Sequence, residues 1–331
     1  MPSLAEIEDA AALIQPFIAP TPCLSWSALN EQAGCEVWVK HENATPVGAF
    51  KVRGGMVYLD ELLRSEPEVP GLIAASTGNH GQSIAWNASR RGLRSVVVVP
   101  HGNNQEKNAA MRALGAELVE HGAEFQHALE HSRYLAQSQG LHAVPSFHPW
   151  LVRGVATYAL EMFRTAPPLD AVYVPIGLGS GFCGVATVKA ALGLHTRIIG
   201  VVSAHAPAYA QSFQKRSLTT HPSQTRAAEG VACSTPDRLA LEWILQHAHD
   251  VVTVTDDEAL DALRDLMQAT QGKVEGAGAL AWAAVKQRCH LHRGERVGCI
   301  LSGGNASREL LARAGDVTST IDPGTQTSPR H

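Results

Sequence analysis

The sequence predicts an α/β protein built on parallel sheets, and three observations carry that prediction. From residue 71 onward, short apolar runs alternate with segments of helical period. A second series of the same kind starts at residue 171. Strands in both series run into small, polar turns at 76–81, 177–181 and 302–305. Alternating strands and helices form right-handed crossover units, which place their strands parallel.

Residues 5–18 carry apolar positions at helical spacing, and Pro20, Thr21 and Pro22 end that helix. The run 36–40 alternates as a strand and delivers the chain to a turn at 45–48, where proline presets φ and glycine tolerates a positive one. A helix follows over 52–63. The first series then reads strand 72–76, helix 79–91, strand 95–100, helix 104–114, strand 117–122, helix 124–139 and strand 141–147. A helix at 150–163 ends before Pro167 and Pro168. The second series reads strand 171–176, helix 182–192, strand 197–202, helix 236–247, strand 251–255, helices 256–270 and 277–289, and strand 297–301. Residues 206–235, rich in Ser, Thr, Gln and Pro, are expected to be an irregular, mobile loop. The tail 318–331 has almost no apolar content and is expected to be disordered. Two sheet systems, divided near 70 and 149, result.

The chain has 331 residues, 45% hydrophobic and 18% charged, with a formal net charge of −4. That balance is globular and leaves no basic footprint for nucleic acid. No apolar run is long enough for a membrane span, and the acidic N-terminus lacks a secretory pattern, so a cytoplasmic location is expected. The six cysteines are scattered and read as reduced filler. The pairs His127/His131 and His290/His292 come without a third ligand at a recognisable spacing and read as solvated surface; no metal site is expected.

Chemistry concentrates in four places. Lys51 stands between a turn and a helix, near unpaired backbone N–H groups and the positive end of a helix dipole. Both disfavour the ammonium and lower its pKa, as an amine nucleophile requires, whereas an ordinary lysine is solvated surface. The block 76–81 links a strand to a helix N-terminus, which is an anion site or a plain capped turn. Gly177-Leu178-Gly179-Ser180-Gly181 does the same with glycines that admit a phosphate. Gly179, Gly181 and Gly184 form a GxGxxG, but a dinucleotide needs an acid at the end of the next strand, and Val202-Ser203-Ala204 has none. A lone phosphate is the better guest. Ser302-Gly303-Gly304-Asn305 closes the last strand as a turn or a site.

The string ENATPVGAFKVRGG at 42–55 resembles the lysine motif of the pyridoxal-phosphate enzymes of the tryptophan-synthase-β type (fold type II), especially the serine/threonine dehydratases and serine racemases. The other three motifs recur in that family's order, and the likeness covers roughly residues 15–312. Ala49 stands where the family has serine, and Leu178 and Ser180 interrupt a run of four glycines. The resemblance implies two open twisted parallel sheets with flanking helices and pyridoxal 5'-phosphate in the cleft between domains. The larger domain would span about 1–52 and 149–316, the smaller about 53–148.

It further implies Lys51 as the Schiff-base lysine and Phe50 packed on the cofactor ring. Residues 177–181 would hold the phosphate, with Ser180 adding a hydroxyl and Leu178 turned outward. Ser302 would face the ring nitrogen and Glu275 would lie beside the ring. Ser76, Thr77, Asn79 and His80 would bind the substrate carboxylate, Asn79 also approaching the cofactor's 3′ oxygen. Thr77 stands where racemases keep a catalytic serine and dehydratases an alanine. Some relatives hold a cation near Ala-Asp-Gly; the counterpart here is Ala228-Glu229-Gly230 without its upstream acid, so a cation is not expected. Trp150 and Val155 replace polar family residues, which points to a substrate bulkier than threonine.

The expected function is a lyase converting a 3-hydroxy amino acid (serine, threonine or a bulkier analogue such as phenylserine) to a 2-oxo acid and ammonia. The expected partner is a small amino acid and the expected assembly a homodimer. The alternatives are an amino-acid racemase and, from another class, a nucleotide- or ligand-binding protein without chemistry.

Overall fold

A computed structural model describes residues 1–316; the tail expected to be disordered lies outside them. The N-terminal segment contributes helix α1 (Leu4–Ile14), strand β1 (Cys23–Ser25), helix α2 (Ser27–Ala33) and strand β2 (Glu36–His41). Ser3 and Glu6 form a reciprocal capping box that starts α1. Helix α3 (Lys51–Ser65) follows the lysine turn. Then come β3 (Gly71–Ala75), α4 (Asn79–Ser89), β4 (Arg94–Val99), α5 (Gln105–Ala113), β5 (Glu117–Glu120), α6 (Phe125–Gln139) and β6 (His142–Ala143). Helix α7 (Pro149–Thr165) leads to β7 (Ala171–Pro175), α8 (Ser180–Ala191), β8 (Arg197–Ser203), α9 (Ala208–Lys215) and α10 (Arg238–His247). The chain continues through β9 (Asp250–Val254), α11 (Asp256–Thr270), α12 (Gly276–Gln287), β10 (Arg296–Leu301) and α13 (Arg308–Asp316).

Two sheets form. The larger has the order β1-β2-β10-β7-β8-β9 and the smaller β5-β4-β3-β6. Every pairing is parallel except β1 with β2. β7 and β3 are buried at every position, as continuous apolar strands covered on both faces require. Around the larger sheet, one cluster gathers Trp282, Leu280 and Leu263 of α12 and α11, and another gathers Tyr158, Phe182 and Ile198. Separate clusters serve the smaller sheet.

Four local expectations change. Residues 208–215 are a helix, not an irregular loop; Ser212 Oγ ties its end by accepting from Thr219 N–H at 2.9 Å. The strand expected over 141–147 shrinks to two residues, because only Leu72 and Ile73 pair with it. β1 and α2 carry too little period to be read locally; they exist because Cys23–Ser25 pairs with Trp38–Lys40. His292 is 2% exposed rather than solvated, held between the Tyr173 hydroxyl and Glu295 Oε2, each at 2.7 Å.

Candidate active site

Lys51 is the first residue of α3, and the turn before it is closed on itself. Gly48 N–H donates to Thr45 O at 2.9 Å with φ of +69°, and Ala49 N–H donates to Thr45 Oγ1 at 2.8 Å. A single bridge pairs Ala49 with Gly303, and Phe50 N–H donates to Ser302 O at 3.1 Å. The lysine turn is thus fastened to the turn that ends β10. On the other side, the Ser83 hydroxyl of α4 donates to Lys51 O at 2.8 Å.

Lys51 Nζ sits 5.3 Å from the Phe50 ring centroid and 3.4 Å from Ser180 Oγ. Burial lowers its pKa to about 8. Removal of the ammonium from water is the first cause of that shift, ahead of the helix dipole expected from the sequence. Phe50 meets Tyr158 edge-on at 6.0 Å, and the Tyr158 hydroxyl donates to Gly181 O at 3.1 Å.

The loop 177–181 opens α8. Gly179, at φ +104°, precedes the helix without any side-chain cap, and the first helical acceptor bond is Cys183 N–H to Gly179 O at 2.9 Å. The amides of Ser180, Gly181 and Phe182 therefore have no acceptor inside the helix, and all three residues are buried. Buried, uncapped amides at a positive helix end are an anion site. A phosphate there, within reach of an amine of lowered pKa, fits pyridoxal phosphate. Leu178, expected outside, is instead half-buried against the larger sheet's core. Its carbonyl accepts from the Tyr209 hydroxyl at 2.9 Å, and that hydroxyl also accepts from Asp237 N–H at 3.1 Å.

The start of α4 is a second such end. Ser76 Oγ accepts from Gly78 N–H at 3.3 Å and Gly81 N–H at 2.8 Å. This leaves the amides of Asn79 and His80 without an intrahelical acceptor. Ser76 therefore shapes the loop before it touches anything else. The Thr77 carbonyl accepts from Asn103 Nδ2 at 3.4 Å. His80 has a buried Nε2 with no partner among the described residues. Burial, then the neighbouring Lys51 charge, pushes its pKa down to about 3 against a hydrogen bond to the Val144 backbone. His80 is a neutral imidazole with a free nitrogen.

Asn79 Nδ2 donates to Glu275 Oε1 at 2.8 Å, and Asn79 Oδ1 accepts from Asn305 Nδ2 at 2.8 Å. Asn305 Nδ2 also reaches Val47 O at 2.8 Å. Burial raises the pKa of Glu275 despite Lys107 and Asn79, and Glu275 N–H donates to Gly303 O at 3.1 Å. Glu275 also lines a cleft of about 270 Å³ bounded by Lys107, Glu229, Asn305 and Arg313. Glu229 forms an ion pair with Lys107 there. Ser302 is 7% exposed at the end of β10.

The structure thus joins Lys51 to Ser180, Phe50 to Ser302, and Asn79 to Glu275, while His80 faces Lys51. Trp150 and Val155 lie elsewhere. Trp150 packs on Tyr58, about 10 Å along α3 from Lys51, with ring centroids 5.5 Å apart. Val155 is buried where α7 crosses α3 and α8. A preference for a bulky substrate must come from other residues.

Sequence reasoning missed the linkers: Asn305, Ser83, Tyr158 and Tyr209. It also missed a buried network around Arg53, which is fully buried yet binds Glu42 at 2.8 Å and Glu161 at 2.6 Å. Lys40 Nζ joins Glu161 at 2.5 Å and Thr21 O at 2.7 Å. The only local signal was two charges beside the lysine turn, Glu42 and Arg53, in a chain with few other reasons to bury them.

The family described as pyridoxal-phosphate dependent enzyme matches residues 14–303. Among curated relatives, the catabolic L-threonine dehydratase of Staphylococcus aureus is 33% identical over 308 residues, 92% of this chain and 89% of that protein. The biosynthetic L-threonine dehydratase of Salmonella typhimurium is 33% identical over 290 residues, 87% of this chain; the match spans only 56% of that protein's length. Among solved structures, a threonine deaminase from Solanum lycopersicum (isoform 2, processed form) superposes with a TM-score of 0.87 at 26% identity, covering 96% of this chain and 95% of that one. Maize serine racemase superposes with a TM-score of 0.88 at 26% identity, covering 96% and 97%.

Proposed function

The chain belongs to the pyridoxal-phosphate-dependent enzyme family, and on that premise we propose that it is an ammonia-lyase, dehydrating a 3-hydroxy amino acid to a 2-oxo acid and ammonia. The observation that carries the reading is the half-buried Lys51, its amine of lowered pKa one hydrogen bond from the open N-terminus of α8. Pyridoxal phosphate, when bound, supplies the electron sink for charge developing at the substrate's Cα. Residues 177–181 would hold its phosphate through backbone amides, and Phe50, Asn79 and Glu275 would line its site.

Lys51 is the general base. With a pKa of about 8, a useful fraction of its amine is neutral near pH 7 and able to take the α-proton. Ser302, buried at the end of β10, would offer the cofactor a neutral hydroxyl in place of a carboxylate, which would suit elimination better than chemistry needing a stronger electron sink. The Asn79 and His80 amides receive the substrate carboxylate, with Ser76 holding their loop. The 3-hydroxyl leaves as water with the proton that Lys51 took from Cα, which returns Lys51 to its neutral form, and water then hydrolyses the released enamine to the 2-oxo acid and ammonia. The likeness to two L-threonine dehydratases supports serine or threonine as substrate classes.

Three further assignments rest on the same reading. The two sheets support a larger domain of about 1–52 and 149–316 around a smaller one of about 53–148. We assign the enzyme to the cytoplasm as a homodimer; among the described residues no helix is long and apolar enough to cross a membrane.

A racemase is the second reading, favoured by the Thr77 hydroxyl and the likeness to maize serine racemase. The deciding experiment incubates purified holoenzyme with serine, threonine and phenylserine and measures 2-oxo acid and enantiomer together. Release of 2-oxo acid faster than epimerisation is expected. Faster epimerisation replaces the lyase with the racemase, and neither activity, with no borohydride-sensitive absorbance near the visible edge, leaves a binding protein.

A further inference from the structure

Ser180 stands where the resemblance leads one to expect glycine, and its hydroxyl oxygen lies 3.4 Å from Lys51 Nζ. Among the described residues no other side chain is hydrogen-bonded to that amine, although His80 is near enough to feel its charge. Its remaining surroundings do other work. Phe50 offers a ring face 5.3 Å away, Ser83 binds the lysine's backbone carbonyl, and His80 on α4 keeps its hydrogen bond with the Val144 backbone. Tyr158 on α7 is turned to Gly181 O, and the Glu275 carboxyl to Asn79. Ser180 itself is 2% exposed, and Gly179 gives α8 no side-chain cap. Its hydroxyl is not spent on a helix end.

From this contact we propose that Ser180 is a positioning residue for the catalytic amine: it holds Lys51 Nζ on the α8 side of the cleft whenever the lysine is free. A lysine side chain is a flexible four-carbon stem, so an unanchored amine would spread over several positions. A hydroxyl can accept from the ammonium and donate to the neutral amine, so it serves both protonation states while favouring the charged one. A glycine at 180 offers the amine neither bond. The proposal rests on the pyridoxal-phosphate reading of the site and deepens it.

The test uses apoprotein of wild type, Ser180→Ala and Ser180→Thr, mixed with pyridoxal phosphate at a series of pH values. Absorbance near the visible edge follows uptake, whose rate tracks the neutral fraction of Lys51. Loss of the hydroxyl should lower the apparent pKa of uptake by about one pH unit, since a bond to the charged form is lost. Ser180→Thr should restore it. Equilibrium affinity at pH 9, where the amine is mostly neutral in all three proteins, should change less than about threefold. An unmoved pKa in Ser180→Ala overturns the proposal; if affinity then falls tenfold or more, the hydroxyl belongs to the phosphate instead. A wild type that takes up no pyridoxal phosphate overturns the underlying reading, and the proposal with it.

Discussion

At the scale of single residues, the site depends on one amine whose hold on its proton has been weakened. Lys51 is held near pKa 8 by burial, and a base acts only when deprotonated. Because Lys51 is a free amine only in the substrate complex, kcat rather than kcat/KM should rise with pH toward the alkaline side; a kcat profile flat from pH 6 to 9 would assign the proton transfer elsewhere. Lys51→Ala should abolish the cofactor absorbance and turnover with little change in melting temperature, because truncation at a cleft seldom unfolds a domain. Retention of a tenth of wild-type turnover would remove Lys51 from its role. Thr77 carries a hydroxyl, but its methyl stiffens χ1, and elimination should dominate. Thr77→Ala should lower solvent deuterium exchange into recovered substrate while largely sparing 2-oxo acid release. Equal losses of both would show a structural role instead.

At the scale of elements, the phosphate site proposed here depends on how α8 begins. Gly179 adopts φ +104°, and a Cβ there would come within 2.6 Å of Ala240 Cβ on α10 and 3.3 Å of the Tyr209 hydroxyl. Gly179→Ala must strain the backbone and displace α10 or Tyr209 together. We expect a loss of about 1–3 kcal/mol in stability and at least a tenfold weaker hold on pyridoxal phosphate. Denaturation and cofactor titration would check the two effects separately. Unchanged affinity would move the phosphate away from this loop.

At the scale of the whole molecule, the Arg53 network joins segments far apart in sequence: Thr21, Lys40, Glu42, Thr157 and Glu161 all meet beneath the lysine turn. Burial opposes the guanidinium's charge, yet Glu42 and Glu161 hold its pKa above the ordinary value. Two cations face two carboxylates, and removing one leaves buried charge uncompensated. Arg53→Leu should cost about 3–5 kcal/mol in urea unfolding; a cost under about 1 kcal/mol would mean that water enters the site freely. Acid should also destabilise the fold. Burial depresses His41 to about 4 and His80 to about 3 from an ordinary 6.5, so below 6.5 the unfolded chain binds protons that the folded chain refuses. Stability is thus whole above pH 6.5 and falls as pH drops toward 4 and 3, by up to about 1.4 kcal/mol per pH unit per histidine. His80→Asn should flatten that slope in melting curves taken from pH 7 to 4.

Much of this was legible locally because parallel strands and amphipathic helices leave periodic traces. β3, β4, β7, β8 and β10 fall within a residue or two of their expected bounds, and both glycine-bearing turns open helices as their composition required. Consecutive residues were enough to single out Lys51, the loop 177–181 and the turn at 302–305 as candidates, and the family resemblance supplied the roles proposed for them. β1 could not, since three residues become a strand only when β2 lies beside them. Nor could His292, whose burial depends on Tyr173 from another strand. Which wall Trp150 lines is likewise set by where α7 crosses α3, at Tyr58. The bond from Lys51 to Ser180 spans 129 positions of sequence. Residue type and spacing determine which groups can do chemistry; which of them meet is decided by packing, because contacts between distant segments have no local period to leave in the chain.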